Sequence, residues 1–250
     1  MGSATVRQLT ALHQLPVRAA RDAKLDAFAR AALWEAQGGA PPPSAAVAEA
    51  RELVDAALAR AWRLRWENSR KEAYWLLALD GARTGVRATY GNAVASRCAV
   101  CPATPADRLH VFWACPPARA VRAAIEAELQ RRGHDAPLTR TQLWLMHPPP
   151  AAAAAVAVHD DLWCVVCLAA AAAMERGRAV AFKLRLNGAP RGEVERQSVA
   201  AAVGALRVAV ADYAALGACR PAARACVHPP RPPFFWAAHP HKQGALVVRG

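Results

Sequence analysis

The sequence predicts a mainly α-helical protein with a small CCHC zinc-binding module inserted between helices. Three observations predict this. Apolar residues recur at three- and four-residue spacing over most of the chain, much of the 54% hydrophobic content is alanine, and Cys98, Cys101, His110 and Cys115 share one short interval. Alanine favours helix but buries little area, so the eight Trp side chains must anchor a thin helical core. At 250 residues the chain has room for one large domain or two small ones.

Taken in order, Leu15 to Gln37 carries Ala19, Leu25, Phe28, Ala32 and Leu33 near helical spacing, until Gly38-Gly39-Ala40-Pro41-Pro42-Pro43 breaks it. Residues 1–43 therefore read as a helical segment and a Pro-rich linker. Ser44 suits the N-cap of a second run, in which Val47, Leu53, Val54, Leu58, Trp62 and Trp66 cover one broad face, with the two Trp side chains stacked along it. Glu72 to Asp80 continues the Trp/Leu-rich stretch of residues 44–85, and Gly81 and Gly85 mark its stop. The cysteine module with a sealing helix spans residues 86–133: Pro116-Pro117 suits a first helical turn, Val121, Ile125 and Leu129 form one face, and Gly133 ends it.

Residues 134–218 form a C-terminal helical region. A connector around Pro148 to Pro150 leads to an apolar helix that Asp160 or Asp161 caps and that runs to about Met174, followed by another from Glu193 to Leu216. From Tyr213 onward no acidic residue occurs and Pro, Arg, His and aromatic residues crowd together, so the tail, residues 219–250 above all, reads as extended and poorly ordered. No repeat of twenty to fifty residues is visible.

The net charge of +13 favours polyanionic partners, nucleic acid first among them. An Ala-, Arg- and Pro-rich composition also follows from a GC-rich coding sequence, so charge biases the partner class without proving it. Early arginines interrupt any signal-peptide core. The longest apolar stretch, Leu162 to Met174, is well short of the roughly 20 residues that span a bilayer. The expectation is an intracellular protein of nucleus or cytoplasm with no membrane partner. Seven cysteines, clustered in pairs, fit metal binding in a reducing compartment better than a disulfide framework.

The chemistry concentrates in the spacing C-x2-C-x8-H-x4-C. Two cysteines three apart turn both sulfurs onto one ion, and the following loop returns a His and a third Cys to complete a tetrahedron. Four protein ligands leave no position for water, which argues for structural Zn2+ over a catalytic site. Zinc binding can fold a segment too poor in apolar residues to fold alone. One net negative charge remains on such a site, and Arg97 and Arg108 stand beside the ligands to offset it. Cys164 and Cys167 share the C-x2-C spacing, yet they lie in an apolar helix and fit buried thiols better than a redox pair. Cys219, Cys226 and His228 lack an obvious fourth ligand. His159-Asp160-Asp161 fits a helix start better than an acid/base cluster. No phosphate loop, nucleophile elbow or H-E-x-x-H motif occurs, so no catalytic residues are visible.

The order of these features resembles the zinc-binding region that follows the polymerase domain in reverse transcriptases of non-LTR (LINE-type) retrotransposons. The resemblance covers roughly Trp62 to Leu129. Its parts are Tyr74-Trp75-Leu76-Leu77-Ala78-Leu79, Arg83-Thr84-Gly85-Val86-Arg87, Cys98 to Cys101, Asp107-Arg108-Leu109-His110-Val111-Phe112-Trp113-Ala114-Cys115, and Ala118-Arg119-Ala120-Val121. Leu162-Trp163 and Met174-Glu175-Arg176-Gly177-Arg178 give a weaker match to the helical segment that trails the module. The resemblance implies nucleic-acid binding beside a reverse-transcriptase polymerase domain, a candidate partner. The sequence departs from the family in having no polymerase palm and no Tyr-x-Asp-Asp motif, so the expectation is a non-enzymatic terminal fragment or independent reading frame of such an element.

The leading expectation is a zinc-stabilised segment that binds RNA or DNA through phosphate contacts from Arg83, Arg87, Arg97, Arg108, Arg119 and Arg122. Stacking by Phe112 or Trp113 competes with core packing for the same side chains. The alternative is a zinc-pinned helical scaffold for protein partners, whose sign would be an exposed Trp/Leu patch on the Leu53 to Leu79 helices. A zinc hydrolase is a weaker third expectation, since it needs an open coordination position.

Overall fold

The apolar run that begins at Leu162 sets the centre of the fold. In the computed structural model, which describes residues 6–34, 41–81, 97–101, 106–150 and 158–215 and side chains from Arg18 to Ala214, every residue from Leu162 to Ala171 is buried. They belong to α6 (Asp160–Leu186), which pairs along its length with α7 (Arg191–Ala215). Around this hairpin lie α1 (Val6–Leu33), α2 (Ser44–Arg63), α3 (Asn68–Ala78), a π turn (His110–Ala114), α4 (Pro116–Gln130) and the short α5 (Arg140–Trp144). No strand occurs among the described residues, and a ligand cluster lies between helices, as the predicted fold class requires.

A single apolar cluster runs from Leu25 in α1 to Tyr213 in α7. At its heart Phe28 stacks on Trp144 at 5.5 Å and meets Tyr74 edge-on at 6.2 Å, while Trp113 meets Trp144 edge-on at 6.4 Å. The Tyr74 hydroxyl donates to the backbone carbonyl of Trp144, which gives this buried phenol its partner. The aromatic residues thus supply the bulk that alanine cannot.

Several predicted boundaries shift. α1 starts at Val6 rather than Leu15 and ends at Leu33, and Gln37 lies outside the described residues. Pro43, not Ser44, holds the N-cap position of α2, and no side chain caps it. That helix ends at Arg63, where Leu64 turns extended (φ −63°, ψ 136°), so Trp62 and Trp66 do not stack on one face. Trp62 instead meets Trp75 edge-on at 5.9 Å, and Trp66 meets Tyr213 at 5.3 Å. Leu53, expected on the buried face, is 39% exposed.

The stop after α3 falls one residue before the glycine expected to make it. Asp80 adopts the left-handed conformation (φ 50°), Asp80 N–H donates to Leu77 and Gly81 N–H donates to Leu76 at 2.7 Å, a Schellman pattern that satisfies the last carbonyls. α4 ends as predicted, with left-handed Gly133 (φ 85°) and its following N–H on Leu129. His159, not Asp160 or Asp161, caps α6 by accepting the Asp161 N–H on Nδ1, and the two acids occupy the first turn. α6 continues past Met174 because Gly177 and Ala181 keep its inner side small enough to pack. Tyr213 is buried in α7 rather than extended; the tail from residue 216 on lies outside the described residues. α5 was not expected, although Thr139-x-x-Gln142 is a capping box that starts it.

Candidate metal centre

The site is built on the short segment between Asp107 and Cys115. The Asp107 carboxylate accepts the His110 N–H at 2.7 Å and so caps the turn that follows. Phe112 is fully buried and Val111 and Trp113 nearly so, which fixes the turn against the core. Five residues of an ordinary α-helix would separate His110 and Cys115 by about 140° at roughly 100° per residue. The turn is instead wound as a π-helix, and Cys115 N–H donates to His110 at 2.7 Å, closing an i→i+5 loop. Widening the turn brings the imidazole and the third sulfur to the same side, the local reason a four-residue spacer works here.

Cys98 and Cys101 arrive on an irregular turn whose buried anchor is Val100. Val100 N–H donates to Cys98 Sγ at 3.4 Å. One candidate ligand atom from each of Cys98, Cys101, His110 and Cys115 lies within 4.8 Å of all the others. Cys98 and Cys115 sulfurs stand 3.5 Å apart, and Cys101 Sγ lies 3.1 Å from His110 Nε2. A tetrahedral ion with metal–sulfur bonds of about 2.3 Å spaces its sulfurs by about 3.8 Å, so ligand atoms that all lie within 4.8 Å of one another fit such an ion with shifts of up to about an ångström. The sequence-predicted ligand set is therefore one cluster in space.

The protonation of the cluster points the same way. The Cys98 thiol is pulled down to about 3, first by the hydrogen bond from Cys115 and then by His110, while Cys115 is pushed far up by the Cys98 sulfur and by burial. One proton is thus shared between two adjacent sulfurs, and a dication can replace it. His110 is 9% exposed and Cys115 is 5% exposed, so the cluster is shielded mainly on the side of the π turn.

Arg108 does not offset the charge of the ligands. Its guanidinium turns into the body, donating to the carbonyls of Leu77 and Ala27 at 3.3 Å each and lying 5.3 Å from the Phe28 ring. Arg122 likewise donates to Trp113 and stacks on its indole at 3.8 Å. The cation beside the sulfurs is Arg178 of α6, which spacing analysis missed because nothing in the sequence links it to residues so far away. Arg178 shares a small pocket with Cys98, Val111, Cys115 and Met174, and its guanidinium forks onto Glu175, with Nε at 2.7 Å. Of the other predicted arginines, Arg97 and Arg119 are exposed, and Arg83 and Arg87 lie outside the described residues.

The remaining cysteines separate cleanly. Cys164 and Cys167 are buried in α6, their sulfurs 3.4 Å from Met146 Sδ and 3.7 Å from the Gln142 carbonyl, and burial raises both thiols, Cys164 to about 12. They are inert packing groups. Cys219, Cys226 and His228 lie outside the described residues. No helix among the described residues is long and apolar enough to cross a membrane. No family model matches the chain, and neither a curated protein nor a solved structure gives a match.

Proposed function

We propose that the chain is a zinc-stabilised segment that binds RNA or DNA, related to the region that follows the polymerase domain in non-LTR reverse transcriptases. The observation that carries this reading is a four-ligand Cys3His cluster in a chain of net charge +13. Zinc is the ion that suits three thiolates and an imidazole at tetrahedral spacing, and with four protein ligands it is structural. Excess positive charge then supplies phosphate affinity, and the working location is wherever nucleic acid is handled, nucleus or cytoplasm.

The scaffold alternative gains little support. Leu53 and Trp62 are both exposed, yet nine residues of α2 place them about 180° apart at roughly 100° per residue, so they form no common patch. A hydrolase reading needs an open ligand position, which a set of four protein ligands does not leave.

The test combines metal content with binding. Purified chain should carry one zinc per molecule, and the Cys98→Ser/Cys101→Ser double variant should carry almost none. Affinity for mixed-sequence RNA and DNA, read by fluorescence anisotropy, should fall linearly on a log–log plot against salt. Metal-free wild-type protein, or binding that ignores salt, would remove the basis for this function.

A further inference from the structure

We infer that the nucleic-acid face is the outer surface of the α6–α7 hairpin, and that its ligand is single-stranded. This deepens the proposed function and rests on it. From Arg176 through Gly192 the chain has Arg176, Arg178, Lys183, Arg185 and Arg191 and no acidic residue. Arg178 is committed to Glu175. The other four side chains are exposed, and none makes an ion pair among the described residues. Arg51, Arg60, Arg70, Arg131 and Arg132 by contrast pair with carboxylates, while other exposed cations such as Arg30, Arg65 and Arg97 stand singly along the chain rather than in an acid-free run.

An aromatic residue lies among these cations. Phe182 is 48% exposed and Leu186 is 72% exposed, although both belong to the helix whose residues Leu162 to Ala171 are all buried. At about 100° per residue, Phe182, Leu186 and Ala179 form one outer stripe, with Arg185 on one flank and Lys183 and Arg176 on the other. An exposed apolar stripe costs solubility unless something covers it. Cations on both flanks select an anionic occupant, and an exposed ring between them offers a face on which an unpaired base can stack. A duplex hides its base faces, so a flat ring on a convex helix gains nothing from it, whereas a flexible single strand can pass its phosphates along the cations and one base over Phe182. The same helix reaches the metal centre, where Arg178 borders Cys98.

The probe is a fluorescein-labelled twelve-nucleotide oligo(dT), compared with a duplex of the same length and with phosphatidylserine/phosphatidylcholine vesicles, on the full chain with zinc content checked. Wild type should bind the single strand more tightly than the duplex. Lys183→Ala/Arg185→Ala/Arg191→Ala should weaken that binding at least tenfold and flatten the log–log salt slope by about 2, from roughly 0.7 per lost phosphate contact. Phe182→Ala should weaken it about fivefold or more without changing the slope. All these positions are exposed, so zinc content and helical circular dichroism should match wild type. Wild-type affinity in the triple variant, in a chain that otherwise binds DNA, would overturn this face and leave the proposed function standing. Equal or tighter duplex binding would overturn the single-strand assignment. Binding to the vesicles and to neither nucleic acid would overturn both.

Discussion

The four ligands were legible at the level of single residues because metal chemistry restricts both the side-chain types and their spacing, and the cluster uses the four residues that the spacing selects. Arginines carry no such restriction. Arg108 shows the consequence: a residue read as a phosphate contact donates to two carbonyls on α1 and α3 and covers the Phe28 ring. Its loss removes two hydrogen bonds, one of them half-buried, and uncovers an aromatic face, so Arg108→Ala should destabilise the protein by about 1–2 kcal/mol in urea unfolding. Its affinity for nucleic acid, measured where the variant is fully folded, should be unchanged; a loss of affinity without loss of stability would return Arg108 to the phosphate surface. Arg178 was illegible for the opposite reason, since only packing of α6 against the start of α4 brings it to Cys98 and Cys115.

Elements were readable where one periodicity dominates and misread where tertiary contacts choose the boundary. α4 follows its sequence signals at both ends, with Pro116-Pro117 in the first turn and Gly133 at the stop. α6 extends beyond its apolar run because its second half packs through small residues rather than large ones. A Cβ on Gly177 would lie 2.9 Å from both Ala202 Cβ and the Ser198 carbonyl oxygen, and 3.0 Å from Pro117 Cβ. None of these is the far end of a flexible side chain, so α7 and α4 would have to move. Gly177→Ala should therefore cost about 1–3 kcal/mol despite the better helix propensity of alanine, and it should lower zinc affinity because α4 begins at the residue after Cys115. Unchanged stability would mean that the three helices are not in close contact.

The metal clip divides the same way. His110 and Cys115 stand on a turn nailed to the core by Phe112 and Trp113, whereas Cys98 and Cys101 hang on a half-buried turn. Chelation should thus free the 97–101 turn and leave the α6–α7 pair helical. Limited proteolysis should cut near Cys98 after chelator treatment while far-UV circular dichroism falls only slightly; a cooperative loss of all helix would show that the ion holds the entire fold.

At the scale of the molecule, nineteen acids face thirty-two Lys and Arg residues, and Asp22, Asp26, Asp160 and Asp212 tie one helix to another. Arg60 with Asp160 joins α2 to α6, and Arg70 with Asp212 joins α3 to α7. Arg51 does most, reaching Asp26 at 2.7 Å and Asp22 and Asp55 at 3.1 Å each, across α1 and α2. Arg176, Lys183, Arg185 and Arg191 on the α6–α7 hairpin take no part in these ties. The ties also make stability depend on pH in a direction that can be worked out. The Asp22 carboxyl is held below its ordinary value of 3.8, first by the hydrogen bond from Arg21 and then by that from Arg51. A carboxylate depressed in the folded state contributes stability that is fully present above its unfolded value, about pH 4, and is lost as pH falls through the lowered one. Acid also releases metal and raises self-repulsion, so the informative quantity is the difference between wild type and Arg51→Met, in which those effects cancel. That gap in urea midpoint should be widest near pH 7, hold to about pH 4 and narrow below it. A gap that stays constant into acid would mean that Arg51 acts through packing of its stem rather than through its carboxylates.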